Sequence, residues 1–319
     1  MADSGKHWSG VGEAGSLLGM RILLFAYRLF GRWGFRLILL PVISYFYLTR
    51  KQARQASAEY LTRLSATFPH CIKKGMTSRQ HFWTFGEILL DKLLVWMGHI
   101  RRDDVVFETP AAFSELDQSN QGGVILVSHL GNTEVCSALA HQLPDIRVTM
   151  LVYTQHAEKF NTLMKQTNSN ASINLMQVTD MSPATAMILS ERVDAGEYVV
   201  IAADRTPVSG AKRTSAVEFL GATASMPQGA FILAGLLRCP VYLMFCLKQE
   251  QKYHIYLERF ATQLSFNRRH RSEQIQSAVQ NYAKRLEHYC QIAPLQWFNF
   301  FPFWKSEQPA SNPINETLS

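Results

Sequence analysis

The chain has 319 residues, 47% of them hydrophobic and 18% charged, with a formal net charge of +7. It is long enough to build a large core and too apolar to be a disordered chain, and its basic balance favours anionic partners: phosphates, lipid surfaces, nucleic acid or an acidic carrier protein. Its five cysteines (Cys71, Cys136, Cys239, Cys246, Cys290) lack any CxxC or CxxH spacing. They read as reduced core residues rather than a metal or dithiol site.

The most apolar stretch runs from Met20 to Leu48 and is interrupted by Arg21, Arg28, Arg32 and Arg36. At helical spacing the four arginines fall within roughly an 80° arc, which predicts one basic face on an otherwise apolar cylinder. A spanning helix needs about 18 to 20 residues nearly free of charge. The uninterrupted run from Leu37 to Leu48 is shorter and contains Pro41. The pattern therefore predicts a helix lying in the membrane interface, or a short hydrophobic segment dipping into the leaflet with its arginines on lipid phosphates, the alternative being a buried core helix. The late start of the apolar run and its internal arginines argue against a cleavable signal peptide.

Helices are expected next at Thr49 to Leu64 and at Ser78 to Gly98, the second with Phe82, Phe85, Leu89 and Leu93 on one face. From Val124 the texture changes to short apolar runs alternating with helical ones. Strands are expected at Val124–Ser128, Ile146–Tyr153, Ile173–Val178, Tyr198–Ala202, Ala216–Leu220, Val241–Lys248 and His254–Phe260. Helices are expected between and after them at Thr133–Gln142, Ala157–Thr167, Pro183–Ala195, Gln228–Leu237 and Glu273–Cys290. This alternation predicts an α/β fold: a central mixed, mostly parallel sheet flanked by helices, with an N-terminal helical membrane-associating region. The boundaries expected are 1–110 for the helical region, 111–305 for the α/β domain and 306–319 for a disordered polar tail.

The stretch "GGVILVSHLGNTEVC" places His129 at the end of a buried strand, where α/β sheets gather their ligands. Gly131 and Asn132 permit a tight turn into a helix, and Glu134 stands five residues after the histidine. H-x4-E across such a turn can set the Glu134 carboxylate against one ring nitrogen while the other faces the cleft, an arrangement suited to a general base. The competing reading is a hydrogen-bonded structural histidine and a favourable first-turn charge. Asp204 and Arg205 follow another expected strand and can enter the same cleft or form a structural ion pair. Lys212 and Arg213 read as a solvated loop pair, with contact to a carrier phosphate as the alternative.

"SHLGNTE" resembles the H-x4-[DE] motif of lysophospholipid acyltransferases, particularly its H-x-G-N-x-E form in bacterial lipid A biosynthesis acyltransferases. The likeness extends to "HWSGVGEAGS", "HFWTFGEILLDKLLVWMG", "AADRTP" and "RLEHYCQIAPLQWFNFFPFW", which look like the branch found with aryl polyene lipid biosynthesis. The resemblance implies an O-acyltransferase with His129 as general base and Glu134 as its acidic partner. It implies a donor thioester on acyl carrier protein or coenzyme A, a hydroxyl of a membrane lipid as acceptor, and the cytoplasmic face of the inner membrane as location. No cofactor, metal or protein nucleophile is required, and no G-x-S-x-G elbow occurs. Gly131, Asn132, Asp204 and Arg205 are expected to bind substrate or the oxyanion: backbone donors near Gly131 meet the oxyanion, Arg205 either assists there or binds an acceptor phosphate, and Asp204 orients Arg205. "MPQGAF" departs from the Pro-Glu-Gly-Thr block of glycerolipid enzymes, which argues against glycerol-3-phosphate as acceptor. The run "WFNFFPFW" fits an acyl tunnel, a leaflet contact or core packing equally. Two rivals remain: a hydrolase using water as acceptor, and a non-catalytic lipid-binding protein. Nucleic acid is disfavoured, since the arginines are interleaved with apolar residues rather than set in a polar stripe.

Overall fold

The computed structural model describes residues 17–73, 75–96, 98–118, 121–140, 147–152, 173–177, 182–205 and 213–304. The helix expected over 157–167, Lys212 and the tail expected over 306–319 lie outside these residues. Three helices come first, α1 (Leu17–Thr49), α2 (Lys51–Thr67) and α3 (Ser78–Trp96), followed by β1 (Val105–Phe107), α4 (Pro110–Gln118), β2 (Gly123–Val127) and α5 (Thr133–Ala140). Then come β3 (Val148–Val152), β4 (Ile173–Gln177), α6 (Pro183–Asp194), β5 (Tyr198–Ala202), β6 (Thr214–Phe219) and β7 (Ala222–Pro227). The described chain closes with α7 (Gly229–Leu237), β8 (Val241–Gln249), β9 (Lys252–Ala261) and α8 (Arg271–Ile292).

Seven strands form a sheet in the order β1-β9-β8-β2-β5-β3-β4. Every neighbouring pair is parallel except β8 with β9, so the mixed, mostly parallel sheet expected from the alternation is what forms. Its central strand β2 is buried along its whole length, which is why it reads as an unbroken aliphatic run rather than an alternating one. The elements missed from sequence are β1, α4 and β7. Strand β7 is made largely of small and polar residues and pairs with β6 across Leu220 and Gly221, both at positive φ (51° and 71°). That two-residue turn matches the twist of a hairpin, although Leu220 disguises it.

The helical region is continuous with the core. Tyr60, Leu61 and Leu64 of α2 join the main cluster together with Trp297. On α3 the residues turned inward include His81, Phe82, Ile88, Leu90, Asp91 and Leu94, while Leu89 is 43% exposed. The expected face through Phe82, Phe85 and Leu89 is thus corrected: two buried polar side chains, His81 and Asp91, set the rotation of this helix. Asp91 takes an ammonium from Lys248, a guanidinium from Arg32 and the Tyr253 hydroxyl.

Helix α1 departs from its expected single basic face. Gly31 interrupts it with φ 63° and ψ −154°, which breaks the helical phase between Arg28 and Arg32. Arg36 pairs with Glu87 at 3.0 Å, and Arg32 with Asp91 and, at 3.7 Å, with Glu87. These two arginines therefore hold α1 to α3 rather than reach for lipid phosphate; Arg28 is exposed. What α1 does offer outward is apolar: Phe25, Leu29, Trp33, Leu37, Leu40, Tyr45 and Leu48 are each between 47% and 73% exposed. The segment Tyr27–Thr49 is long and apolar enough to cross a membrane by length and composition, and only 22% of its most apolar window is buried within the protein.

His81 ties the helical region to the rest. Its Nε2 lies 3.0 Å from the Trp297 carbonyl and its Nδ1 2.9 Å from Ser57 Oγ. A carbonyl only accepts, so Nε2 carries the proton, Nδ1 accepts from Ser57, and Ser78 completes the chain by donating to Ser57 at 2.7 Å. Full burial holds this imidazole neutral, with its pKa lowered from 6.5 to about 3 against the opposing pull of the Trp297 carbonyl. The unfolded chain then binds a proton that the folded chain refuses, so stability is complete above pH 6.5 and declines as the pH falls from there towards 3. Urea unfolding between pH 7 and pH 4 is expected to show this decline. His81→Gln, which keeps an N–H for the Trp297 carbonyl, should lower proton uptake on unfolding by about one proton.

Candidate active site

The site follows from strand register. In the parallel pair β2 and β5, Val127 lies beside Ala202, and the Ala203 N–H continues the ladder to the Val127 carbonyl at 2.9 Å. Two residues beyond each partner stand His129 and Asp204, adjacent at the carboxyl edge of the sheet. The Tyr282 hydroxyl of α8 donates to the same Val127 carbonyl at 3.0 Å and fixes the end of the central strand.

Asp204 is 1% exposed and its carboxylate is surrounded by donors. Oδ1 lies 2.7 Å from His129 Nδ1; Oδ2 accepts the His129 backbone N–H at 2.8 Å and the Trp297 indole N–H at 3.1 Å. Burial by itself would raise this carboxyl, but the His129 imidazole with its hydrogen bonds, and the Arg205 charge, outweigh it and bring the pKa down to about 2. Asp204 is therefore ionised at neutral pH. An ionised carboxylate only accepts, so Nδ1 of a neutral His129 carries the ring proton and Nε2 is left with the lone pair. His129 titrates below its ordinary 6.5, chiefly through burial and then through the Arg205 charge, with Lys92 adding to these and Asp204 opposing them. The His129 side chain is 36% exposed, and among the described residues its Nε2 has no hydrogen-bond partner.

The carboxylate hydrogen-bonded to His129 is thus Asp204, which corrects the expectation that Glu134 occupies that place. Glu134 lies on the first turn of α5 and is drawn instead to Lys92 of α3, at 2.8 Å. Burial would raise its pKa, but the Lys92 charge and hydrogen bond reverse that and leave it lowered, with a smaller contribution from His129. Glu134 thus stays within electrostatic reach of the imidazole without bonding to it. Lys92, which the sequence reading passed over, bears on both members of the motif. Its signal was its helix: α3 carries Glu87, Asp91 and Lys92 within an otherwise apolar run.

The turn itself is fully employed. The Leu130 N–H lies 3.2 Å from Ser128 Oγ, the Gly131 N–H 2.9 Å from the Gln296 carbonyl, and the Asn132 N–H 2.8 Å from the Cys246 carbonyl. With the His129 N–H on Asp204, every backbone donor from 129 to 132 is satisfied within the protein. Of the backbone donors expected near Gly131 to meet an oxyanion, these four are thus engaged within the protein. Gly131 is needed for another reason: it sits at φ 76°, and a Cβ there would meet the Cys246 carbonyl oxygen at 1.9 Å. The Asn132 amide is fully buried near the Tyr253 hydroxyl, without a hydrogen bond of good geometry. Arg205 donates to the Phe298 carbonyl, and its guanidinium lies 5.6 Å from the Phe301 ring centre. Arg213 is exposed. Trp297, Phe298 and Phe303 are buried, so this part of the aromatic run is core.

A buried carboxylate that sets an imidazole tautomer at a sheet edge leaves Nε2 with a lone pair that can accept a proton. The chain matches the family model for bacterial lipid A biosynthesis acyltransferase over residues 53–306, and it belongs to that family. A comparison with curated proteins finds no match.

The positive charges around His129 give a direct test of this electrostatic picture. Arg205→Gln removes a cation that disfavours the imidazolium, so the His129 titration midpoint, followed by NMR of labelled histidine, is expected to move up. A midpoint that is unchanged or lower would contradict it.

Proposed function

We propose that the chain is an O-acyltransferase that moves a fatty or polyenoic acyl group from a thioester of acyl carrier protein or coenzyme A to a hydroxyl of a membrane lipid, with His129 as general base. Membership of the family makes it a lipid acyltransferase in the broad sense. The observation that carries the finer reading is the His129 ring, with Nδ1 bonded to an ionised, buried Asp204 and Nε2 unpaired among the described residues.

In this mechanism Nε2 takes the acceptor hydroxyl proton as the oxygen attacks the thioester carbonyl carbon. The negative charge gathers on the carbonyl oxygen, and Asp204 stabilises the imidazolium without taking its proton. Collapse of the tetrahedral intermediate breaks the carbon–sulfur bond, and the imidazolium returns its proton to the departing thiolate. With the backbone donors of the turn engaged elsewhere, the oxyanion is matched by cationic charge, Arg205 and Lys92 being the two that bear on His129. Glu134 positions Lys92 and keeps its ammonium from facing the imidazole uncompensated. The aryl polyene branch remains our reading of the acceptor pathway on resemblance alone.

We place the site at the cytoplasmic face of the inner membrane. The exposed apolar residues of α1 support this: fully burying such a side chain is worth about 1.5–3 kcal/mol, and several of them together exceed the scattered exposure of an ordinary surface. Lys92 and Glu134 lie where α3, the partner of α1, meets α5, so one helix joins the lipid-facing helix to the motif that carries the base.

Acyl transfer measured with carrier-bound and coenzyme A thioesters is expected to fall by about 10²–10⁴ in His129→Ala with the fold retained. Asp204→Asn should be comparably inactive. Its carboxamide oxygen would stay on the two donors at the Oδ2 place, turning the amide N–H towards Nδ1 and forcing the proton onto Nε2. Near-normal turnover in either variant would reject the mechanism, and product that is free acid, even with alcohol present, would favour the hydrolase. Replacing Trp33 and Leu37 together by Glu should weaken sedimentation with phosphatidylglycerol vesicles by about tenfold or more, with thermal stability unchanged.

A further inference from the structure

Three consecutive residues touch the whole site. The Gln296 carbonyl accepts from Gly131, the Phe298 N–H donates to the His129 carbonyl at 3.0 Å, and the Phe298 carbonyl accepts from Arg205. Between them, Trp297 sends its indole N–H to Asp204. The segment is itself held in place. The Gln296 side chain accepts from the Lys248 N–H at 2.9 Å and donates to the Lys248 carbonyl at 2.6 Å, so it docks against the end of β8. His81 holds the Trp297 carbonyl through its Nε2.

Trp297 is fully buried, and its ring meets Tyr60, Phe219 and Phe303 edge to face at centroid distances of 5.0, 5.1 and 5.0 Å. An indole so enclosed cannot turn its N–H elsewhere. The consequence falls on Asp204. One fixed donor, the His129 backbone N–H, leaves a carboxylate able to rotate about its Cβ–Cγ bond; a second donor on the same oxygen sets its plane. Oδ2 is then committed to two donors, and Oδ1 is the oxygen offered to the imidazole.

We propose that Trp297 is a positioning residue for acyl transfer: its indole N–H fixes the plane of the Asp204 carboxylate, and through it the tautomer and direction of the His129 ring. The proposal rests on His129 acting as the base. It assigns part of the aromatic run near the C-terminus to the reaction, though no atom of it need touch substrate. It also gives the buried His81 chain a purpose beyond stability, since His81 anchors the backbone from which the indole reaches Asp204.

The test replaces Trp297 by Phe and, separately, by benzothienylalanine, which keeps the two-ring shape with sulfur in place of the N–H and so guards against loss of fold. Both are expected to lower kcat about ten- to a hundredfold, the worth of one hydrogen bond to a charged group, with KM little changed. The readout that packing alone would not move is the ¹⁵N spectrum of His129 without substrate, assigned by its disappearance in His129→Ala. It should pass from the Nδ1–H form to a mixture of tautomers. If the benzothienylalanine protein keeps both its kcat and a pure Nδ1–H ring while His129→Ala is inactive, the inference is overturned and the base remains. Near-normal turnover in His129→Ala overturns the base, and the inference falls with it.

Discussion

The structure is organised around one buried negative charge. A carboxylate removed from water at the edge of a sheet costs several kcal/mol unless donors surround it. Asp204 meets that demand with three N–H groups, from the backbone and ring of His129 and from Trp297. The donors come from the end of the central strand and from the segment after the last helix, so the charge is satisfied only when distant parts of the chain have come together. The carboxylate that draws these segments together also sets the tautomer of the His129 imidazole.

The same logic recurs one layer out. Asp91 on α3 is likewise buried, and it gathers Arg32 from α1 together with Lys248 and Tyr253 from the sheet. His81, nearly three turns earlier on that helix, links α2 through Ser57 to the Trp297 carbonyl. Helix α3 is in this way a polar spine within an apolar layer. It holds α1 through Glu87 and Asp91 and sends Lys92 to Glu134 on α5. The outwardly apolar helix α1 and the histidine motif are joined by directed, charge-assisted contacts, which specify geometry in a way that apolar packing does not.

Much of the fold was legible because the forces that make it are local. The aliphatic run of β2, the Ser182–Pro183 start of α6, whose serine accepts the Thr185 N–H at 3.1 Å, and the long amphipathic pattern of α8 all declare themselves in the residues concerned. The elements that were missed lack such signals. Strand β7 is built from small residues, β1 has three residues, and the hairpin between β6 and β7 turns on a leucine at positive φ. The rotation of α3 was misjudged for a related reason: apolar periodicity cannot know that His81 and Asp91 have partners waiting inside.

For the site, the sequence by itself determined which residues gather. His129 ends a buried strand, Gly131 permits the turn that follows, and Asp204 and Arg205 end a second strand. What only the tertiary structure decided is who pairs with whom. H-x4-E suggested a bond from His129 to Glu134 because the two are near in the chain. The parallel register of β2 and β5 instead sets Asp204 on the imidazole, and α3 supplies Lys92 to draw Glu134 aside. The Gly131 and Asn132 N–H groups are taken up by the Gln296 and Cys246 carbonyls, from segments far along the chain. Hydrogen bonds between segments far apart in the chain leave no local pattern to read, since each depends on strand order and helix packing that the whole chain settles together.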